Sequence, residues 1–275
     1  MTSTERALVD EAWYRKTPAY VSFRQRYEIA SRIVRGRRVA EFCCGEGAGT
    51  KLLAEKAERV EACDVDADAV AKARRRCEGL TNIAFHVADV LTWQNKPCDV
   101  AVAFECLEHF PEEEALTFLD RLSAAVSPKG VLLLTTPDGY TPGIGRLYRL
   151  INPFHLRQYT RDELDEMLRQ RFSGEVWLHL VRNGDAPYFV ALASEAKIPP
   201  EWKEWVREVT REGASPRNYR FARWQAVSRI EAARGRFWAA RRACFRAFAT
   251  KPFSVPGLRR LILGIAGYRL WNKLR

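Results

Sequence analysis

The chain has 275 residues, enough for one large domain or for one domain with an appendage. Its composition, 47% hydrophobic and 29% charged with seven cysteines that lack metal-ligand spacing, is that of an ordinary globular protein with free thiols, not of a disulfide scaffold. The net charge of +11 is confined to one end, because residues 213–275 hold 15 Lys and Arg and one acid, against 30 basic and 33 acidic residues elsewhere.

Neither end of the chain has the pattern of a membrane or export segment. The first ten residues are polar and charged, unlike a signal peptide. The longest late apolar run, Leu261 to Tyr268, is far shorter than the roughly 20 residues of a membrane-spanning helix. We therefore expect a cytoplasmic protein that is soluble or associated with a membrane surface.

The N-terminal segment, residues 1–35, has helical spacing and carries several aromatic side chains. Such a segment could pack on the edge of a sheet, or it could close as a lid over a bound ligand. We predict a helical lid here.

A glycine-rich stretch follows this segment. The hydrophobic run Arg38 to Cys44 contains one acid, Glu41, and stops at Gly45; Gly47 and Gly49 come next, before helix-like sequence. This order predicts a buried strand, a tight turn and a helix start, where glycines and free N–H groups let a ligand approach the backbone. The G-x-G-x-G spacing by itself is a weak signal, since a strand–turn–helix without a ligand also shows it.

Strands and helices then alternate with the period of parallel βαβ units. The predicted strands are Val60 to Asp64, Ile83 to Val87, Cys98 to Phe104 and Val131 to Thr136, and the predicted helices are Ala67 to Cys77, Glu112 to Val126 and Arg161 to Gln170. Pro128-Lys-Gly130 predicts a turn. A late hairpin is predicted from Glu175–Leu180 and Tyr188–Ala193, separated by Asn183-Gly184-Asp185.

Taken in order, several motifs resemble those of class I S-adenosylmethionine (SAM) dependent methyltransferases, over roughly residues 25–193. They are the glycine loop with Glu41, where Asp is usual, then Asp64, Asp89, Cys98-Asp99 leading to Glu105-x-x-Glu108-His109, Pro128-x-Gly130 and Asn152-Pro-Phe-His155. The last motif and the pair Arg26-Tyr27 are similar to a subgroup linked to glycan biosynthesis.

The resemblance implies an α/β fold with a doubly wound, seven-stranded, mostly parallel sheet (the Rossmann-like methyltransferase fold), whose last strand inserts antiparallel. It divides the chain into the lid of residues 1–35, a SAM-binding domain of residues 36–196 and a basic, amphipathic helical extension of residues 197–275.

The resemblance also implies roles for particular residues. Asp64, at the end of the second strand, would bind both ribose hydroxyls of SAM; capping of the next helix is better suited to Asp66. Asp89 would meet the adenine amino group, although a turn role is the alternative. Arg26 would hold the methionine carboxylate through its two-pronged guanidinium. The predicted cofactor-binding set is Arg26, Tyr27, Glu41, Cys43, Gly45, Gly47, Asp64, Val65, Asp89, Val90, Phe104 and Glu105.

Methyl transfer from a sulfonium depends largely on alignment of donor and acceptor, and a base helps where the acceptor is a hydroxyl. His155 and His109 are the candidate bases, because imidazole titrates near neutral pH. The alternative for each is a packed structural histidine.

The same region also offers metal ligands. Glu105, Glu108, His109 and His155 match the E-x-x-E-H and distal His pattern of small-RNA 3′-terminal 2′-O-methyltransferases, in which a divalent metal orients ribose hydroxyls. Ubiquinone-type O-methyltransferases have a related pattern. Many proteins with this pattern bind no known metal, so a metal is a candidate that we do not expect.

The basic extension has helical spacing from Arg217 to Phe248, with one mainly apolar face and one Arg-rich face, and Gly257 to Leu274 repeats the pattern. It could form an extra helical layer, bind an anionic membrane surface or anionic substrate, or bind RNA. We favour the anionic membrane surface or substrate, because no recognisable RNA-binding motif is present.

The sequence thus predicts a SAM-dependent methyltransferase, O-directed, acting on a sugar or other hydroxylated small molecule that could be lipid-linked. An RNA ribose 2′-O-methyltransferase is the second hypothesis. A non-catalytic SAM-fold subunit that binds through its tail is the third, and the intact glycine loop and Asp64 argue against it.

Overall fold

The computed structural model describes residues 18–139, 147, 150, 152–182, 187–211 and 216–250. The helices are α1 Pro18–Ile33, α2 Ala48–Ala54, α3 Ala67–Arg76, α4 Glu112–Ala125, α5 Arg161–Arg169, α6 Pro200–Val209, α7 Pro216–Ala233 and α8 Phe237–Thr250. The strands are β1 Arg38–Phe42, β2 Arg59–Asp64, β3 Ile83–Val87, β4 Cys98–Phe104, β5 Val126–Pro137, β6 Glu175–Val181 and β7 Tyr188–Ser194. Residues 1–17, the hairpin turn at 183–185 and the segment 257–274 lie outside the described residues.

The strands form one seven-stranded sheet in the order β3-β2-β1-β4-β5-β7-β6. Strands β1 to β5 are parallel to their neighbours, whereas β7 runs antiparallel to both β5 and β6. This is the predicted Rossmann-like methyltransferase fold. The strand order reverses between β1 and β4, and ligands in such sheets bind in the crevice at that reversal, beyond the carboxyl ends of the strands.

Alternate residues of the central strands face two separate cores, as the period of a strand requires. In β4, Val100 and Val102 pack on one side, and Ala101 and Ala103 pack on the other. The first side is covered by α1, α2 and α6 through Ile29, Ile33, Leu53 and Val206. The second side is covered by α4 and α5 through Phe118, Leu122, Leu164 and Leu168.

The predicted turn at residues 128–130 is wrong, because β5 begins at Val126 and runs through this segment. Cys98 pairs with Val126, the register then shifts, and Val100 pairs with Val131. A Cβ on Gly130 would lie 2.8 Å from the backbone oxygen of Asp99. The glycine therefore permits close approach of two strands at an irregularity in the ladder, and the chain does not reverse there.

The extension does not form a single unit. Its first helix, α6, packs on α1, where the Gln25 side-chain amide donates to the carbonyl of Val209 at 3.1 Å and Trp202 is buried in the core. The section from Arg217 to Phe248 is not one continuous helix, because the chain turns at Gly235, whose φ of 72° is in the left-handed region. None of the helices in the described ranges combines the length and apolar character needed to cross a membrane.

Helices α7 and α8 form a hairpin. Across it, the Ser228 hydroxyl and the Cys244 thiol are hydrogen bonded at 3.0 Å, and both side chains are buried. At the turn, Glu231 accepts a hydrogen bond from the Arg236 guanidinium at 2.6 Å.

Candidate active site

The glycine loop connects β1 to α2 and opens toward solvent at only one of its glycines. Among the described residues, no atom lies within 4 Å of the position that a Cβ of Gly45 would take. Gly47 has a φ of 75°, and a Cβ there would lie 2.7 Å from the Cβ of Ala73 in α3. Gly45 is therefore the glycine beside which a ligand can approach the backbone, whereas Gly47 lets two helices pack.

The third glycine makes room for a buried aromatic ring. A Cβ on Gly49 would lie 1.8 Å from Tyr27, whose hydroxyl donates to the Glu41 carboxylate at 2.9 Å. Burial raises the pKa of Glu41 to about 7, although the hydrogen bond from Tyr27 favours the ionised form. Helix α1 is thereby attached to the end of β1 and to the start of α2.

Asp64 ends β2 and is held in one orientation by the backbone. Its two carboxylate oxygens accept hydrogen bonds from the N–H groups of Gly45, at 2.9 Å, and Asp66, at 3.0 Å. A carboxylate has about four lone-pair sites, so oxygens fixed in this way can still accept two further hydrogen bonds. Asp66 is the cap of α3, as the sequence suggested, because its side chain accepts from Asp68 and Ala69.

Two non-glycine residues have positive φ, and each directly follows a central strand. They are Cys43 after β1, with φ of 59°, and Glu105 after β4, with φ of 53°; no other non-glycine residue in the described ranges has positive φ. Each such position costs of order 1–3 kcal/mol, and such positions concentrate at functional sites. Because β1 and β4 are the strands between which the order reverses, both residues border the same crevice.

The Arg26 guanidinium, on α1, is paired with the Glu105 carboxylate, which follows β4. Nη1 of Arg26 lies 3.4 Å from Oε2 of Glu105, and the Thr135 hydroxyl donates to Oε1 at 2.9 Å. Burial by itself would lower the pKa of Arg26, but Glu105 and, after it, Tyr188, Tyr27 and Glu108 together raise it by more, so the net shift is upward. Arg26 is therefore charged and lies at the predicted place, where its partner in this structure is Glu105.

Three of the four predicted metal or base candidates come together. One ligand atom of each of Glu108, His109 and His155 lies within 4.8 Å of the others, and the two imidazole rings meet edge to face at 5.2 Å. Glu105, the fourth, is outside this cluster and is bound to Arg26 and Thr135.

Glu108 is fully buried and only partly paired. The Thr136 hydroxyl donates to Oε2 at 3.0 Å, whereas Oε1 has no hydrogen-bond partner within the described ranges. Burial, and then the neighbouring Glu105 carboxylate, raise the pKa of Glu108 well above its ordinary value. The side chain therefore favours its protonated form.

Hydrogen bonds distinguish the two histidines. Nδ1 of His109 lies 2.8 Å from the carbonyl oxygen of Phe154, which can only accept, so Nδ1 carries the proton and Nε2 has the lone pair in the neutral ring. Nδ1 of His155 lies 3.2 Å from the side-chain nitrogen of Gln158, which donates to it. In that arrangement Nε2 of His155 carries the proton.

The remaining predicted cofactor residues lie around the same edge. Asp89 is exposed and accepts a hydrogen bond from the Leu91 backbone at 2.9 Å, which is the turn role that the sequence left open. Val65 is exposed next to Asp64, and Val90 is buried. The ring of Phe104 meets that of Tyr27 edge-on at 5.1 Å.

Several residues of the site had no signal in the sequence. Thr135 and Thr136 hold the two glutamates from the end of β5, Gln158 orients His155, and the Tyr188 hydroxyl is buried beside Arg26. In the sequence, these residues are marked only by their position on or near strands and loops at the carboxyl edge of the sheet. That position points to the site only after the strand order is known.

Comparison with known sequences indicates a methyltransferase domain. Residues 39–130 match a family described as a methyltransferase domain. A probable SAM-dependent methyltransferase of Mycolicibacterium smegmatis is 36% identical over 133 residues, which are 48% of this chain and 50% of that protein. A trans-aconitate 2-methyltransferase of Variovorax paradoxus is 34% identical over 118 residues, 42% of this chain and 44% of that protein. The chain thus matches about half the length of these curated relatives.

Comparison with solved structures supports the fold. The N-methyltransferase NodS from Bradyrhizobium japonicum superposes with a TM-score of 0.54 and 17% identity, covering 66% of this chain and 98% of that protein. A complex of the protein DhpI with SAM superposes with a TM-score of 0.51 and 22% identity, covering 69% of this chain and 94% of that protein. At these identities the likeness concerns the fold alone.

Proposed function

We propose that this chain, whose core is a class I SAM-dependent methyltransferase domain, transfers the methyl group of SAM to an oxygen atom of a small molecule. The single observation that carries the proposal is the set of groups at the carboxyl ends of β1, β2 and β4. The open side of Gly45, the oriented carboxylate of Asp64 and the two positive-φ residues Cys43 and Glu105 all lie at this edge of the sheet.

Oxygen as the accepting atom is supported by the cluster of Glu108, His109 and His155. A hydroxyl acceptor must lose a proton during transfer, and a base in hydrogen-bond reach accelerates that step. Of the two histidines, His109 has the lone pair on Nε2, which makes it the better base, and His155 can donate a hydrogen bond to the acceptor. A carboxylate acceptor, as the name trans-aconitate 2-methyltransferase implies for the Variovorax relative, would need no base.

The acceptor class that we favour remains a sugar or other hydroxylated metabolite, including a lipid-linked one. The motifs that resemble the glycan-associated subgroup, Arg26-Tyr27 and Asn152-Pro-Phe-His155, support it, and His155 of the second motif lies in the candidate base cluster.

The same cluster could also hold a divalent metal. One carboxylate and two imidazoles are a donor set that suits Mn²⁺, Fe²⁺ or Zn²⁺, and Oε1 of Glu108 is without a protein partner in the described part of the chain. Against a metal, the hydrogen bond from Gln158 leaves His155 with its proton on the nitrogen that would have to bind. We therefore propose base catalysis, and loss of activity in EDTA with recovery in Mn²⁺ would overturn that choice in favour of the metal.

The test of the function is incubation of the purified full-length chain with methyl-labelled SAM and a panel of sugars, nucleotide sugars, phenols and carboxylic acids. Mass analysis of the products identifies the accepting atom. We expect a methyl ether from a hydroxyl compound, and Asp64→Ala to abolish its formation. A methyl ester would refute the base-dependent step, and a chain that binds no SAM by calorimetry would refute the function altogether.

For the α7–α8 hairpin we propose contact with an anionic membrane surface. Residues 216–250 contain nine arginines and one acid. One face of α8 exposes Trp238, at 75%, and Phe245, at 41%, together with Arg242 and Arg246. Aromatic side chains that alternate with arginine on one helix face fit the interface of a lipid bilayer, whereas strand-tracking RNA sites are grooves.

Sedimentation with vesicles tests this surface. The full-length chain is expected to bind vesicles that contain about 30% phosphatidylserine, an anionic lipid. It is not expected to bind vesicles of phosphatidylcholine alone. Arg242→Glu should weaken the binding, and Arg75→Glu, an exposed reversal of the same charge on α3, is the matched control. Retention on single-stranded RNA with no retention on either vesicle would contradict the membrane and favour nucleic acid.

A further inference from the structure

A cavity lies at the amino-terminal edge of the parallel strands, the edge opposite the candidate active site. Its volume is about 170 Å³, and its polar and charged lining residues are Arg37, Asp99, Lys129, Ser194 and Lys197. Asp99 is the second residue of β4 and Phe104 is the last, so the cavity is roughly 17 Å from the carboxyl end of that strand. A ligand in this cavity would therefore be separate from one in the methyl-transfer site.

The cavity is formed by an irregularity in the sheet. Where β4 advances by two residues, β5 advances by five, so the extra residues of β5 bulge away from the ladder. The hydroxyl of Ser194, at the end of β7, donates to the carbonyl of Gly130 at 2.6 Å and accepts from the N–H of Ala196 at 3.0 Å. These buried hydrogen bonds fix one side of the cavity, which is therefore present before any ligand binds.

The lining has an excess of positive charge. Arg37, Lys129 and Lys197 are its cations, and Asp99 is its acid. The Asp99 carboxylate is already bound by Arg38, through the backbone N–H at 2.9 Å and the guanidinium at 3.1 Å. Asp99 thus has a cation of its own, and the three cations of the lining are left to attract an anion.

The two lysines are not held by other acids. Neither Lys129 nor Lys197 forms an ion pair with any described residue. Glu175, an acid near Lys197, is bound instead by Lys203 and by the N–H of Ile198 at 2.9 Å. Both lysines are exposed and can turn toward a ligand.

Arg37 differs from the lysines in being fixed in place. Its Nη1 donates to the carbonyl of Ile33 at 2.6 Å, and its guanidinium lies 5.0 Å from the centre of the Trp202 ring, which also lines the cavity. No described residue accepts a hydrogen bond from Nε or Nη2 of Arg37. The cavity therefore has one oriented donor group and two adjustable cations.

The size and charge of the cavity select the ligand. A cavity of about 150 Å³ holds benzene, so about 170 Å³ is enough for a group of roughly six to ten non-hydrogen atoms. A phosphomonoester has three peripheral oxygens and about 1.5 to 2 negative charges near pH 7. Three cations match that group better than they match a carboxylate, which has one charge and two oxygens.

We propose that this cavity binds the phosphomonoester group of a small molecule through Arg37, Lys129 and Lys197. The proposal is independent of the proposed methyl transfer, because the two sites lie at opposite edges of the sheet. The group could be carried by a soluble phosphorylated metabolite or by the headgroup of phosphatidic acid, and the experiment distinguishes these sources.

Calorimetry with glycerol 3-phosphate on the full-length chain, at about 150 mM salt to screen weak surface binding, tests the site. The double variant Lys129→Gln, Lys197→Gln should bind about tenfold or more weakly than wild type, because two charge-assisted contacts are lost. Both side chains are exposed, so the variant should fold normally. The matched control is Lys51→Gln, Lys96→Gln, which removes the same charge at exposed positions outside the lining and should bind as wild type does.

Dihexanoyl phosphatidic acid, a water-soluble lipid, identifies the source of the group. If the cavity takes a lipid headgroup, this compound binds wild type and loses affinity in the Lys129, Lys197 variant. If it takes a metabolite, only glycerol 3-phosphate behaves in this way. The proposal is overturned if neither compound binds wild type, if both bind wild type and this variant equally, or if the control loses as much affinity.

Discussion

Two buried glutamates differ in how fully their carboxyl groups are paired. Glu108 lies at the carboxyl edge of the sheet, and Glu231 lies in the α7–α8 hairpin. The carboxylate of Glu231 is bound by the Arg236 guanidinium at 2.6 Å and lies 3.6 Å from that of Arg234. Glu108 has one oxygen without a partner in the described part of the chain, and burial, followed by the nearby Glu105 carboxylate, raises its pKa. The hairpin satisfies its buried charge, whereas the sheet edge does not.

The same contrast extends to the neighbours of each residue. At the same edge of the sheet as Glu108, burial raises the pKa of the Glu41 carboxyl, and one donor of each of Tyr188 and Arg26 has no partner among the described residues. In the hairpin, Ser228 and Cys244 are bonded to each other. Unsatisfied polar groups lower stability, so their concentration at one edge of one sheet indicates that the edge is shaped for a ligand and the hairpin for packing. Substitutions should therefore have opposite consequences in the two regions.

The largest expected effect comes from Glu41→Gln. The pKa of Glu41 is raised to about 7 in the folded chain from an ordinary 4.5, so the unfolded chain loses this proton first. As pH rises from about 4.5 to about 7, the wild-type free energy of unfolding should fall by up to ~3 kcal/mol through this group and then level off. Glutamine does not titrate and can still accept from Tyr27.

Urea unfolding of both proteins at pH 5 and pH 8 measures this difference. The variant should gain stability over wild type between the two pH values, and contributions from Glu108 cancel because both proteins contain it. If the free energy of unfolding depends on pH equally in the two proteins, Glu41 is ionised in the folded chain. Its pKa is then not raised by burial, which would contradict this prediction.

If Asp64 binds the ribose as proposed, Asp64→Ala should weaken SAM binding by about 30-fold or more, because charge-assisted hydrogen bonds to two hydroxyls would be lost together. Calorimetry measures the affinity. Asp66→Ala is the control, since it removes the α3 cap two residues away and should cost about 1 kcal/mol of stability without a comparable loss of affinity. Equal affinity losses in the two variants would mean that Asp64 acts only through the loop.

Glu231→Gln should lower the free energy of unfolding of the hairpin by about 1–2 kcal/mol, less than a fully buried pair because both arginine partners are more than a third exposed. Glu108→Gln should leave stability equal or higher and should impair methyl transfer. Parallel measurements of melting and turnover on these two variants test the comparison directly. If Glu108→Gln lowers stability more than Glu231→Gln does, the contrast between a ligand-binding sheet edge and a packed hairpin is wrong.

The smallest effect on stability is expected from Trp238→Ala, within about 0.5 kcal/mol, because this side chain is 75% exposed. Its loss should nevertheless reduce binding to vesicles containing phosphatidylserine. A variant that melts normally and still sediments with those vesicles would remove the aromatic part of the membrane proposal.

The sequence was informative wherever one local pattern has one structural solution. The glycine loop, the acid that ends β2 and the apolar strand from Cys98 to Phe104 were each predicted from neighbouring residues alone, and the sheet with its antiparallel last strand followed from the resemblance. The local pattern failed at Gly130, which was predicted in a turn and lies inside a strand. The helical spacing from Arg217 to Phe248 did not indicate that Gly235 divides this section into two helices. Glycine marks both a turn and a close approach, and the residue alone does not say which.

By itself, the sequence determined that this chain builds alternating strands and helices with a glycine turn after the first strand, because hydrophobic period and glycine spacing act over a few residues. Only the tertiary structure decided which polar groups meet. It separated Glu105 from Glu108, His109 and His155, and it placed Tyr188 beside Arg26 although 162 positions separate them in the chain. Those pairings depend on strand order and helix packing, which bring distant residues to one edge of the sheet. No local sequence pattern indicates which polar groups remain without a hydrogen-bond partner there.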